Sequence, residues 1–165
     1  MDNFKALRTI RTATQHLQGE PEAIFPLLCP VREYEWIEHW RCDMVFSISG
    51  VAETDCVFTT DFGETGGQDT WTVCRYEPGT CIEFIRVNAV RVMRYTITLA
   101  ESKAGITTAH WRQIITAINE EGNIWLRSLR DEDFARQIAS LETCLNHFLQ
   151  TGRMLRQSPV TQEET

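Results

Sequence analysis

The stretch Asp131 to Thr151 limits what this chain can fold into more than any other. Phe134, Ile138, Leu141, Leu145 and Phe148 recur at alternating steps of four and three, which draws one apolar stripe along a helix. Leu149 widens the stripe at its end. The other side carries Asp133, Arg136, Gln137, Glu142, Thr143 and Asn146, all suited to water. Asp131, Glu132 and Asp133 fall in the first turn, where the helix dipole favours negative charge. Gly152 follows as a good C′ residue. At about 1.5 Å per residue the helix is roughly 30 Å long. It needs an apolar surface of similar length, and the preceding residues read mostly as strands, so that surface is a sheet.

The strands come in a regular series. Leu7 to Leu17 reads as the first, carrying Ile10, Thr12, Thr14 and Leu17. Pro21 then opens a short apolar helix through Ile24, Phe25, Leu27 and Leu28, kinked at Pro26 and ended by Pro30. Arg32 to Trp40 predicts a second short helix. From Cys42 the period changes to two. Cys42–Ser47, Asp55–Asp61, Thr70–Tyr76, Cys81–Val87, Val92–Leu99 and Ile106–Ile118 follow, separated by turn signals such as Ser49-Gly50, Gly63 to Gly67, Pro78-Gly79 and Asn119-Glu120-Glu121-Gly122. Ile124 to Leu129 bridges to the long helix. The order predicts an α+β domain: a curved antiparallel β-sheet of about seven strands wrapped around the long C-terminal helix, with two short helices after the first strand. The domain spans residues 1–152, and 153–165 form a polar tail that is expected to be disordered.

Alternation assigns the faces. Met44 and Phe46 turn inward against Asp43 and Ser47; Ile82 and Phe84 turn inward against Glu83. Phe58 faces in with Cys56 and Thr60. Met93, Tyr95, Ile97 and Leu99 oppose the outward Arg94, Thr96 and Thr98. Trp111, Gln113, Ile115 and Ala117 oppose the outward His110, Arg112 and Thr116. Trp71 and Val73 are harder to place, because Arg75 shares their parity. Arg86, Arg91 and Arg94 are expected on a solvated face.

Function classes narrow by what is missing. The net charge of −7 disfavours nucleic acid and anionic membrane surfaces as partners. No apolar run reaches a membrane-spanning length, and the N-terminus lacks the apolar centre of a secretory signal. A cytoplasmic protein with no nucleic-acid partner and no membrane insertion is the expectation; nothing in the sequence fixes an oligomeric state. The six cysteines form no C-x-x-C pair, and most of them read as small buried hydrophobes. His39, Cys42 and Glu35 lie close in sequence, but a set of three without a second ligand pair predicts a solvated face and no metal. Glu53, Asp55 and His110 are the candidate acids and bases, and all are expected at the surface. No nucleophile elbow, phosphate loop, zincin or dinucleotide motif occurs, so no cofactor is expected.

Several stretches resemble the START-like helix-grip superfamily, also called SRPBCC. They are Gly19-Glu20-Pro21-Glu22-Ala23-Ile24-Phe25-Pro26-Leu27-Leu28, Trp36 and Trp40 before the sheet, Cys56-Val57-Phe58-Thr59-Thr60, Trp71-Thr72-Val73 before Arg75-Tyr76-Glu77-Pro78, and Thr107-Thr108-Ala109-His110-Trp111. With the terminal helix, the resemblance covers about residues 5–152. It implies a seven-stranded sheet gripping the last helix, with a cavity between them. Members of the superfamily bind lipids, sterols, hormones or polyketides; others are cyclases, ring-oxygenase domains or co-chaperones, so the fold alone selects no function. No Rieske-type Cys/His motif supports the oxygenase branch.

The resemblance and the face assignment together nominate a cavity lining of Trp40, Met44, Phe46, Phe58, Trp71, Phe84, Met93, Tyr95, Ile97, Trp111, Gln113, Leu141 and Leu145. The polar groups among the inward residues are few: Tyr95, Gln113, Thr60 and, by its parity with Trp71 and Val73, Arg75. Such a lining suits a small hydrophobic molecule oriented by one or two hydrogen bonds. Gln113 must find partners inside, because an unsatisfied buried amide costs about 1–3 kcal/mol. Two alternatives remain: a polyketide cyclase or hydratase-like enzyme that uses these polar groups, and a co-chaperone-like interaction module with an exposed apolar patch.

Overall fold

The apolar stripe of the long helix lies on the concave face of an antiparallel sheet. A computed structural model describes residues 4–156. The elements are β1 (Arg8–Gln18), α1 (Pro21–Ile24), β2 (Asp43–Phe46), β3 (Val57–Thr60), β4 (Asp69–Glu77), β5 (Cys81–Val87), β6 (Arg91–Leu99), β7 (Ile106–Ala117), α2 (Glu120–Ser128) and α3 (Asp131–Thr151). The seven strands form one sheet in the order β1-β7-β6-β5-β4-β3-β2, every pair antiparallel. This is the helix-grip architecture expected from the sequence. Among the described residues, no helix is long and apolar enough to cross a membrane.

On α3, Phe134, Ile138, Cys144 and Leu145 are buried. Gly152 ends the helix in the left-handed conformation, and its N–H donates to the Phe148 carbonyl at 2.7 Å. Gln15, fully buried on β1, pins the helix to the sheet. Its amide nitrogen donates to the Ile138 carbonyl at 2.8 Å, and its amide oxygen accepts from Trp111 Nε1 at 2.8 Å. At the outer edge of β1, the backbone N–H groups of His16 and Gln18 donate to the side chains of Glu142 and Asn146. Of the expected tail only 153–156 belong to the described residues; there Leu155 packs against the core.

Five expectations need correction. Arg32 to Trp40 is not a helix; only a 3₁₀ turn, Glu33–Glu35, forms there. Trp36 and Trp40 are instead fixed by side-chain bonds, their Nε1 atoms donating to the carbonyls of Leu27 at 2.9 Å and Pro30 at 2.8 Å. The bridge at Ile124–Leu129 is most of helix α2. Asn119, read as a turn residue, is its N-cap and accepts from the Gly122 N–H at 2.9 Å. Phe46 faces solvent and is 60% exposed, because a bulge between Met44 and Phe46 inserts Val45 and reverses the alternation. Arg75, counted with the inward polar groups, is outside and paired with Glu77 at 2.8 Å, because a second bulge between Val73 and Arg75 parts it from Trp71 and Val73, which face inward as nominated.

The fifth correction concerns charge. Arg94 is exposed as expected, but Arg86 and Arg91 are buried on the concave side. They meet the carboxylate of Asp69, at 2.6 Å and 3.2 Å, and share Glu64 from the loop before β4, at 3.2 Å and 2.5 Å. Two positive and two negative groups thus close one end of the sheet.

Gly122 is required by a close approach. A Cβ there would lie 2.1 Å from the Val90 carbonyl oxygen, which accepts the Ile118 N–H at 3.0 Å. Gly122→Ala must push α2 off the β5–β6 turn, and it is expected to destabilise the fold by roughly 1–3 kcal/mol, read as a lowered thermal midpoint.

Candidate functional site

A pocket of about 600 Å³ lies between the concave sheet and α3. Its wall is a chain of aromatic rings. Phe58 stacks on Trp71 with centroids 5.4 Å apart, Phe84 meets Trp71 edge-on at 5.7 Å, and Tyr95 bridges to Trp111 at 5.7 Å and Phe134 at 6.4 Å. Trp71 is held by its Nε1, which donates to the buried Thr60 hydroxyl at 2.8 Å. Phe134, Gln137 and Leu141 supply the α3 side, three positions on one helical face. Pro30, Ile37 and Trp40 close another side, with Trp40 tilted against Phe62 at 5.5 Å.

Of the residues nominated from the sequence, the pocket brings together Trp40, Phe58, Trp71, Phe84, Met93, Tyr95, Ile97, Trp111, Gln113 and Leu141. It leaves out Met44, half-buried against the core, Leu145, wholly inside the core, and the exposed Phe46. His110, Glu53 and Asp55 lie away from the pocket. Glu53 accepts backbone N–H bonds from Ile48 and Ser49 in a surface loop, and the Ser49 side chain first, with these backbone groups, holds its carboxyl below the usual range. Glu35 is tied to Arg32 at 2.5 Å, and the Cys42 thiol donates to the Pro30 carbonyl at 3.6 Å. His39 reaches the pocket.

The polar groups of the pocket are more numerous than the sequence reading held. Arg11, Gln113 and Tyr95 face one another across β1, β7 and β6 as register partners. Arg11 donates to the Gln113 amide oxygen from Nε at 3.1 Å and Nη2 at 2.7 Å, and its guanidinium sits 4.8 Å from the Phe134 ring centroid. Burial lowers the Arg11 pKa and raises that of Tyr95, the latter further raised by the charge of Glu33. Glu33 itself lines the pocket from the 3₁₀ turn. Half-buried, it opens onto the cavity, and desolvation there lifts its pKa to about 8. At neutral pH Glu33 is therefore mostly an uncharged acid able to donate a hydrogen bond. Arg86, Glu64, Glu38, His39, Asp133 and Gln137 add to the polar lining.

Among the lining residues that the sequence did not nominate are Arg11, Glu33, Arg86, Trp125 and Phe134. Arg11 had a signal: it is six residues before the inward Leu17, on the same parity. Glu33 had none, since an irregular turn offers no period.

A curved antiparallel sheet closed over one long helix, with a walled pocket between them, is a helix-grip domain. No protein-family model matches the sequence, and no curated protein matches it. Solved structures match the fold. Norcoclaurine synthase from Thalictrum flavum, solved with a transition-state analogue, superposes with a TM-score of 0.63 at 8% identity, over 89% of this chain and 99% of that one. An uncharacterised protein from Rhizobium leguminosarum gives 0.61 at 13% identity, over 88% and 97%. DynU16, from the dynemicin biosynthetic locus, gives 0.55 at 17% identity; 90% of this chain spans about half of it, 48%. At such identities the likeness establishes the fold.

Proposed function

We propose that this START-like, SRPBCC-type domain binds a small hydrophobic or amphipathic molecule, of lipid, polyketide or aromatic type, in the pocket between its sheet and α3. One observation carries the reading: an aromatic-walled space of about 600 Å³ persists where close packing would otherwise fill the core. That volume falls within the range of about 300–1,000 Å³ usual for small-molecule sites. The norcoclaurine synthase fold, solved with dopamine and hydroxybenzaldehyde, supports an aromatic guest.

Leu141→Trp tests it. Leu141 is half-buried on α3 and lines the pocket, so a larger ring there enters the space without displacing the core. The variant is expected to keep its fold and lose any small molecule that co-purifies with the wild type, as read by native mass spectrometry. Retention of that molecule by the variant at wild-type occupancy would exclude the pocket.

A second reading, a cyclase or hydratase-like enzyme, is favoured by Glu33, an uncharged acid facing the same space as Tyr95 and Gln113. It requires that turnover of a carbonyl substrate vanish in Glu33→Gln while binding persists. The interaction-module reading has less support: Trp36 is fully buried and Trp40 half-buried.

A further inference from the structure

The acidic groups of the pocket wall are, with one exception, matched to arginines. Glu64 is bonded to Arg86 and Arg91. Asp133 is bonded to Arg130 at 3.2 Å and to Arg136. Glu38 lies 3.6 Å from Arg156. The exception, Glu33, is mostly uncharged near neutral pH. Arg11 stands on the other side of this ledger. Among the described residues no carboxylate forms an ion pair with it; its polar partner is the neutral Gln113 oxygen, and its face rests on Phe134. The pocket therefore holds a guanidinium whose charge no neighbouring carboxylate cancels directly.

An arginine has five N–H donors, and Gln113 accepts from two nitrogens, Nε and Nη2. The Nη1 hydrogens and the second Nη2 hydrogen stay available. Because Gln113 and Phe134 fix the plane, the remaining donors are aimed before a ligand arrives, so little rotamer freedom is lost on binding. The other arginine of the pocket, Arg86, is already bonded to Asp69 and Glu64, which leaves Arg11 as the lining arginine without a carboxylate partner.

We infer that the guest is an amphipathic anion, with an apolar body against the aromatic wall and a carboxylate or comparable oxyanion held by Arg11. The inference rests on the pocket reading above and narrows it to a chemical class. A planar oxyanion suits the guanidinium edge, where charge-assisted hydrogen bonds are about twice as strong as neutral ones. A neutral lipid or sterol would leave the remaining Arg11 donors without an acceptor, while Asp131, Glu64 and Asp133 act on its charge only from a distance.

The test compares two fluorescent probes that share one frame. Anilinonaphthalene sulfonate carries an oxyanion, and N-phenyl-1-naphthylamine lacks it. Each is titrated into the wild type, Arg11→Met, Arg11→Lys and Leu141→Trp, with circular dichroism to verify folding. In Arg11→Met the sulfonate probe is expected to weaken by about tenfold or more while the neutral probe changes less than about twofold; Arg11→Lys falls between. Added salt weakens only the sulfonate probe in the wild type. If Arg11→Met weakens both probes equally, or neither, the anion assignment is overturned. If neither probe binds the wild type, or Leu141→Trp leaves both affinities unchanged, the pocket reading fails and takes this one with it. Should Arg11→Met not fold, Arg11→Lys and the salt titration decide by the same criteria.

Discussion

Asp69→Ala is expected to destabilise this protein by about 3–5 kcal/mol, the usual cost of breaking a buried ion pair from one side. Asp69 is 1% exposed and bonds both Arg86 and Arg91, whose side chains are 8% and 0% exposed. Removing its carboxylate leaves two guanidinium groups within one interior, with only Glu64 from a loop to balance them. Arg91 also lies 4.2 Å from the Trp125 ring centroid and Arg86 over Trp71, so the loss spreads into α2 and the pocket wall. Much of the cost is the penalty of orphaned charge rather than the worth of the bonds. Replacing Asp69, Arg86 and Arg91 together by apolar residues of similar volume is accordingly expected to lie nearer the wild type than the single change does. Urea denaturation measures both. A loss below about 1 kcal/mol for Asp69→Ala would mean that solvent screens the group as it does at a surface.

Glu33→Gln is expected to remove a pH dependence. In the unfolded chain the carboxyl titrates at its ordinary value of 4.5, and in the folded protein burial raises it to about 8. Between those values the folded state holds a proton that the unfolded state has released. Stability contributed at this site is therefore intact at low pH, falls as pH rises through that window, and levels off above the folded pKa. The glutamine variant cannot release a proton there. It is expected to match the wild type near pH 4 and to exceed it by roughly 2–4 kcal/mol near pH 9, with denaturation midpoints across that range as the measurement. Parallel curves for the two proteins would show that Glu33 reaches water when it ionises.

What the sequence disclosed follows from periodicity. A residue's face can be read wherever strand or helix is regular, and the stripe of α3 and the inner faces of β5, β6 and β7 were legible for that reason. Phe46 was misplaced because Val45 breaks the alternation, and a bulge has no period of its own. Arg86 and Arg91 failed differently. Alternation already placed Arg86 with Phe84 and Arg91 with Met93, on the inner side, but their charge argued for solvent. Asp69 shares the inward parity of Trp71, so the matching acid was present in the same pattern. Charges of opposite sign on one inner face are readable as a buried pair when they are considered together rather than singly. Glu33 sits in a turn whose packing depends on chain folded around it from every side, and no local pattern encodes that.

The extra residue of β4 bears on how a fold of this kind changes over generations. Cys74 is the unpaired position, and it is exposed. Gain or loss of one residue in a strand ordinarily turns every later side chain to the opposite face. Here Val73 points inward before the bulge, and Arg75 points outward just after it, with Tyr76 half-buried against the core. Deleting Cys74 would leave Val73, Arg75 and Tyr76 in plain alternation, each still on its present side. The bulge adds bend and twist without deciding which residues form the core. A lineage could therefore gain or shed this one codon and so alter the curvature of the sheet, and the depth of the space beneath it, while every inward residue of the strand is inherited unchanged.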